Sequence, residues 1–312
     1  MIPPEQIQEA AELIRRGRLV AFPTETVYGL GANALDPTAV ALIYEAKGRP
    51  AGSPLIVHAA SIEMARELAA EWPEAAETLA RRYWPGPLTL VLPKRPCVPD
   101  IVTAGLGTVG LRVPAHPVAL ALIRAAGVPI AAPSANRFSG LSPTTAGHVR
   151  DSLGSRVDLI LDGGPTDVGI ESTVLSLAGE RPVLLRPGMI SQREIEERIG
   201  PVEMASAGGP GPHPSPGMHR KHYSPKTRLL LVKGGAVPGQ GKGGYVGVST
   251  EPAGPVARLV WMPPDAATYA AVLYQTLHRL DREGLDWIAV EQPPEDPDWA
   301  AILDRLKRAA KQ

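Results

Sequence analysis

The sequence predicts an α/β protein in two parts, and three features carry that expectation. Short apolar runs alternate with amphipathic stretches along most of the 312 residues, the pattern of sheets covered by helices. That length exceeds the roughly 250–300 residues that one hydrophobic core usually serves. A Gly-, Pro- and Ser-rich stretch, about 205–226, divides a first domain of residues 1–204 from a second of 227–312.

In chain order, the first domain opens with a helix that starts at Pro4 and stops at Gly17, residues favoured at those ends. "LVAF" (Leu19 to Phe22) is a short buried strand. Asp36 caps a second helix, with Pro37 at its first position and its end near Gly48. "LIVHA" is a strand, and two helices follow between Ser61 and Tyr83. "LTLVLP", "VGLRVP" and "PIAAP" are strands, the last two separated by a helix after His116. "SPTTAGHV" begins another helix, with Ser142 as the expected cap and Pro143 inside it. "DLILDGG", "STVLSL" and "PVLLRPG" are strands, and "SQREIEERIG" carries a capping box, Ser191 with Glu194. Beyond the linker, "RLLLV", "YVGVS" and "ARLVWM" are strands. A long helix from Asp265 to about Glu283, a strand "DWIAVE" and a last helix complete a smaller α/β domain.

Composition narrows the functional classes. No apolar run approaches the ~18 residues of a membrane span. The start, "MIPPEQIQEA", lacks the basic and apolar regions of a signal peptide. Cys97 is the single cysteine, so neither an internal disulfide nor a Cys-rich zinc site is expected, which fits a reducing cytosol. Net charge is zero, yet Met204 to Thr250 holds six Lys or Arg, three His and no acid. Pro85 to Arg150 holds six Lys or Arg against the single acid Asp100. Local positive fields in a neutral chain suit an anionic ligand. A basic RNA-binding surface is the alternative. Single-strand binders interleave aromatics for stacking, but aromatics are only 4% of this chain, and its basic segments are mainly Ser, Thr, Gly and Pro.

Two glycine motifs are decoys. "GLGANA" (Gly29 to Ala34) matches a dinucleotide fingerprint but lies several residues beyond its strand, and no acid follows about twenty residues later. "AVPGQGKG" (Ala236 to Gly243) nearly matches a phosphate-binding loop, but Gly243 stands where Ser or Thr is needed and a strand follows. Three other segments carry chemistry. "FPTETVYGLGANA" reads as a glycine-bearing loop that lets a ligand approach backbone. "KGRP" ends a helix with Lys47, then places Arg49 in an irregular segment fixed by Pro50, where the pair can converge on one polyanion. "APSANRFSGLSPTT" sets Ser134, Asn136, Ser139 and Ser142 at the exit of a strand and the entry of a helix, the usual ligand side of an open α/β sheet.

"PTETVYGLGA", "KGRP…PLIVH", "APSAN…GLSPT", "ESTV" and "LRPG" together resemble the YrdC-like threonylcarbamoyl-AMP synthases. "GMHRKHYSP" and the trailing α/β domain resemble that family's long, two-domain form, so the likeness spans essentially the whole chain. The resemblance implies a twisted mixed sheet flanked by helices. It implies that ATP, L-threonine and bicarbonate give threonylcarbamoyl-AMP and pyrophosphate, with Mg2+ accompanying ATP. The product would pass to a tRNA threonylcarbamoyl transferase that modifies the adenosine beside the anticodon; direct tRNA binding is not required. Lys47, Arg49, Ser134 and Asn136 match the family's catalytic signature. Thr26, His58, Arg112, Ala132 and Ser172 match its threonine-holding positions. Arg49, Ser53, Thr108, Ser134, Ser142, Arg186 and Tyr223 match those around ATP. Ser53 stands where the family usually has Asn, so a direct nucleotide contact is not expected from it. The implied chemistry needs position and positive charge, which Lys47 and Arg49 would supply while Arg112 pairs the threonine carboxylate. Residues 205–226 would be a lid whose "HRKHY" closes over the nucleotide.

Overall fold

The computed structural model describes residues 2–50, 52–205 and 222–310. Helix α1 (Pro4–Arg15) leads into strand β1 (Val20–Pro23), and a tight turn returns the chain as β2 (Tyr28–Asn33). Helix α2 (Pro37–Lys47) is capped by Asp36, whose carboxylate accepts the N–H of Thr38 at 2.9 Å and of Ala39 at 3.2 Å. Gly48, at φ 61°, ends it in the left-handed conformation. There follow β3 (Ile56–His58), α3 (Ile62–Arg66), α4 (Glu74–Tyr83), β4 (Leu88–Pro93), α5 (Asp100–Thr103) and β5 (Thr108–Arg112). Next come α6 (Pro117–Ala126), β6 (Ile130–Ala131), α7 (Ala146–Leu153), β7 (Leu159–Ile160) and β8 (Thr173–Ser176). The first region ends with β9 (Val183–Arg186), α8 (Gln192–Ile199), which begins with the expected capping box, and β10 (Glu203–Met204).

Among the described residues, ten strands form one mixed sheet in the order β10-β9-β8-β4-β5-β3-β6-β2-β1-β7. Strand alternation sends Val20 and Phe22 into an apolar cluster with Ile14 of α1 and Ile123 of α6. Leu19 and Ala21 enter the opposite cluster, with Ile43 of α2, Leu79 of α4 and Ile195 of α8. The sheet is thus covered on both faces, as the alternation predicts.

The second sheet is smaller. Strands β11 (Arg228–Val232), β12 (Gly243–Gly247), β13 (Arg258–Trp261) and β14 (Trp287–Glu291) pair in parallel in the order β11-β14-β12-β13. Helices α9 (Ala266–Asp281) and α10 (Ala300–Ala309) accompany them. Their apolar cluster also takes in Val27, Leu141, Ile170 and Tyr223, so the two regions share a core where they meet. "GLGANA", expected to lie beyond its strand, instead falls mostly within β2, whereas "AVPGQGKG" is the expected turn, leading into β12.

Two local expectations need correction, and two short elements were unforeseen. The stretch read as a loop after Phe22 contains β2, paired antiparallel with β1. Its glycines serve close packing: a Cβ at Gly31 would stand 2.7 Å from the Phe22 ring and 2.8 Å from Ile130 Cγ2. Ser142 is not a helix cap. Thr145 caps α7 by accepting the N–H of His148 at 3.2 Å, while the buried Ser142 hydroxyl donates to Glu171 at 2.5 Å. Helix α5 and strand β10 are too short to show a period in sequence.

Candidate active site

His58 and Arg112 are register partners on the parallel strands β3 and β5, and both line a pocket of about 540 Å³ counted to its open mouth. Arg112 is buried. Its Nη2 donates to Glu25 Oε1 at 2.6 Å and to Thr26 Oγ1 at 3.1 Å, and its Nε to the Gly86 carbonyl at 3.2 Å. Glu25 in turn accepts the Ala115 N–H at 2.9 Å. His58 is neutral at physiological pH, because burial, aided by the charge of Arg112, pushes its pKa down to about 3. Its Nδ1 has no hydrogen-bond partner among the described residues. Thr26 is set by the turn between β1 and β2, where Thr24 Oγ1 accepts the N–H groups of Thr26 and Val27, both at 3.2 Å. Ser172, just before β8, lies 2.8 Å from Thr89 Oγ1 and accepts from Arg186 Nη2 at 3.1 Å. With Ala132, these are all five residues expected to hold threonine, and all five line the pocket.

Of the residues expected around ATP, Arg49, Ser134, Arg186 and Tyr223 line the same pocket. Arg49 is held from behind: its Nη2 donates to Ser53 Oγ at 2.6 Å and the Pro54 carbonyl at 2.9 Å. Its buried Nε has no partner among the described residues, and burial pulls its pKa down to about 10. Ser53 therefore braces Arg49 and is not itself part of the pocket lining. Arg186 is buried and donates to the carbonyl and hydroxyl of Ser172. Thr108 and Ser142 do not line the pocket: Thr108 begins β5, at the other end of the strand from Arg112, and Ser142 faces Glu171.

Two signature residues, Lys47 and Asn136, stand outside the lining. Lys47, the last residue of α2, donates through Nζ to the carbonyls of Ser134 and Asn136, both at 2.5 Å. Burial, with Arg49 nearby, holds its pKa well below the usual lysine value. Asn136 donates through Nδ2 to the carbonyls of Arg137 and Gly140, both at 2.9 Å. Lys47 and Asn136 thus hold the shape of the loop that presents Ser134.

Sequence reasoning missed Glu25, Glu171 and Arg305, while His222 was expected only as part of the "HRKHY" lid. Glu171 lines the pocket and accepts from Arg305 Nε at 2.8 Å. His222 also lines it, beside Tyr223 at a ring separation of 4.1 Å. His219, Arg220 and Lys221 of the expected lid lie outside the described residues. The arrangement gathers buried guanidinium groups at one end of β5 and β9 around small hydroxyls and a neutral imidazole. Such a wall can hold carboxylate and phosphate groups through charge-assisted hydrogen bonds.

A family model described as "Telomere recombination" matches residues 12–188, and one described as the C-terminal domain of threonylcarbamoyl-AMP synthase matches residues 190–311. The threonylcarbamoyl-AMP synthase of Pyrococcus abyssi is 44% identical over 98% of this chain and 94% of its own length. That of Bacillus subtilis is 47% identical over 98% of this chain and 93% of its own. The crystal structure of P. abyssi Sua5 complexed with L-threonine superposes with a TM-score of 0.92 at 42% identity, covering 99% of this chain and 95% of that one. The chain belongs to the threonylcarbamoyl-AMP synthase family, in the form that carries the second, C-terminal domain.

Proposed function

We propose that this pocket joins ATP, L-threonine and bicarbonate into threonylcarbamoyl-AMP and pyrophosphate. The observation that carries the reading is convergence. Residues as far apart in sequence as Thr26 and Tyr223 line one pocket that holds Arg49, Arg112 and Arg186. In this reading the threonine carboxylate binds between Arg112 and Thr26, with neutral His58 and Ser172 beside it. Bicarbonate, with a proton, gives carbon dioxide and water; threonine's neutral amine attacks that carbon and loses a proton to solvent, leaving the carbamate. A carbamate oxygen attacks the α-phosphorus of ATP, and the bond to the β-phosphate oxygen breaks to release pyrophosphate. Negative charge gathers on phosphate oxygens, so Arg49 and Arg186 act by position and charge. Lys47 acts on the Ser134 loop. Magnesium would travel on the nucleotide's own phosphates; no group of three or more His, Cys, Asp or Glu suited to a metal stands among the described residues.

The segment 205–226 is proposed as the tether between a catalytic domain, 1–204, and a second domain, 227–312, and as a lid over the nucleotide. His222 and Tyr223 in the pocket lining support this. The product would go to a tRNA threonylcarbamoyl transferase in the cytoplasm. Lys47, Arg49, Arg112 and Arg186 are buried, which disfavours the alternative of a basic RNA-binding surface. Mass spectrometry of the product formed from ATP, threonine and bicarbonate tests the reading. Absence of threonylcarbamoyl-AMP, with all three substrates and Mg2+ present, would refute it.

A further inference from the structure

The nucleotide side of the pocket leans on the second domain. Arg305, in α10, has a side chain only 1% exposed. Its Nε donates to Glu171 Oε2 at 2.8 Å, its Nη2 to the Glu171 carbonyl at 3.3 Å and its Nη1 to Asp304 at 2.9 Å. Its guanidinium carbon lies 5.2 Å from the centre of the Tyr223 ring, within cation–π range. Tyr274 of α9 donates to the same carboxylate at 3.1 Å. Glu171 and Tyr223 both line the pocket. The approach is also close at Gly169, where a Cβ would overlap the backbone of Ala270 and Ala271 in α9.

Open α/β sheets take ligands beyond the carboxyl ends of their strands. There, at the ends of β12 and β14, the Glu291 carboxylate accepts the N–H groups of Val248, Ser249 and Thr250. This internal carboxylate satisfies that run of backbone N–H groups.

A buried carboxylate in the wall of an ATP pocket repels the triphosphate unless a cation neutralises it. Arg186 is close by, but it also serves Ser172. We propose that Arg305 is a positioning residue for ATP: it reaches from the second domain to neutralise Glu171 and to fix the Tyr223 ring on the nucleotide side. On this view the second domain acts as part of the pocket's wall. The inference rests on the reading that the pocket takes ATP.

The test uses the full chain and two readouts, ATP binding by calorimetry and steady-state pyrophosphate release with each substrate varied. Arg305→Met should weaken ATP binding at least tenfold and leave the threonine KM within about twofold. Glu171→Gln added to Arg305→Met removes the stranded anion and should recover most of the ATP affinity. Arg305→Lys keeps a charge but loses the fork, and should fall between wild type and Arg305→Met. If Arg305→Met does not fold, Arg305→Lys decides: a severalfold weaker ATP affinity with unchanged threonine KM supports the role. Folded Arg305→Met or Arg305→Lys with wild-type ATP affinity overturns it. So does a folded double variant whose ATP affinity is no better than that of a folded Arg305→Met. Wild type that binds ATP yet releases no pyrophosphate would refute the proposed reaction while leaving the ATP arm of the test intact.

Discussion

Replacing Arg112 tests where the threonine carboxylate binds, but the obvious variant is confounded by Glu25. The two form a buried ion pair at 2.6 Å, with side chains 4% and 8% exposed. Breaking a buried pair from one side typically costs about 3–5 kcal/mol, because the remaining charge is stranded. Arg112→Ala alone should therefore lose activity largely through lost stability. The informative variant is Arg112→Met combined with Glu25→Gln, which removes both charges and keeps similar volumes. The Gln carbonyl can still accept the Ala115 N–H that Glu25 accepts at 2.9 Å. This double variant should unfold within a few degrees of wild type. Its threonine KM should nevertheless rise roughly 10- to 150-fold, since losing a hydrogen bond to a charged group is worth about 1.5–3 kcal/mol. Its ATP KM should stay within about twofold. The assay is pyrophosphate release with threonine and ATP varied separately, alongside thermal unfolding. A folded double variant with a wild-type threonine KM would show that the carboxylate is held elsewhere.

Lys47→Met should lower kcat more than tenfold through a loosened Ser134–Asn136 loop, whose carbonyls Lys47 holds at 2.5 Å; hydrogen exchange across 134–140 should rise with it, and unchanged exchange would contradict the clamp. Gly31→Ala should destabilise the chain by about 1–3 kcal/mol, because its Cβ would fall 2.7 Å from the Phe22 ring; denaturant unfolding measures this, and an unchanged midpoint would refute the packing argument. Stability should fall on acidification. The pKa of buried His148 is pushed down to about 3, chiefly by desolvation and then by the charge of stacked His278. The unfolded chain takes up that proton near pH 6.5, so the contribution is complete above about 6.5 and is lost as pH falls from there toward 3, by up to about 1.4 kcal/mol per pH unit. Urea unfolding at pH 7.5 and 5.5 should show the slope, and His148→Gln should reduce it; an equal slope in that variant would place the titration elsewhere.

The layered architecture was legible because both of its signals are local. Asp36 before Pro37, and Ser191 with Glu194, mark helix starts within a few residues, and both caps form. Strand β2 was not legible. Gly29 and Gly31 look like loop residues, but what a Cβ would meet lies on other segments: the Phe22 ring of the neighbouring strand at 2.7 Å for Gly31, and Ala132 at 3.2 Å for Gly29. The pocket residues were found by their matching order along the chain. Their division of labour was hidden, because it depends on which atoms each side chain meets. Lys47 reads as a cation for phosphate, yet its ammonium faces two carbonyls 87 and 89 residues away. Arg305 did leave a trace. It falls on the apolar stripe of α10 with Ile302, Leu306 and Ala309, where an arginine needs a buried partner. The sequence cannot say that this partner is Glu171, 134 positions earlier.

The charges of the site argue for a division between holding and binding. Burying a cation costs stability unless an opposite charge compensates it. Arg112 has Glu25, and Arg305 has Glu171 and Asp304. Lys47 rests on carbonyl dipoles, and Arg49 on a hydroxyl and a carbonyl. Carbonyls and hydroxyls satisfy hydrogen bonds without cancelling charge, so Lys47 and Arg49 stay electrostatically unpaid, and both have pKa values lowered chiefly by burial. Of these two, Arg49 lines the pocket. An anionic ligand placed there would meet a guanidinium already stripped of water, its buried Nε lacking a partner among the described residues. The guanidinium's share of the desolvation cost was met when the chain folded, so only the ligand's share remains to be met on binding. That physical asymmetry is what makes Arg49, rather than Lys47, the cation suited to phosphate.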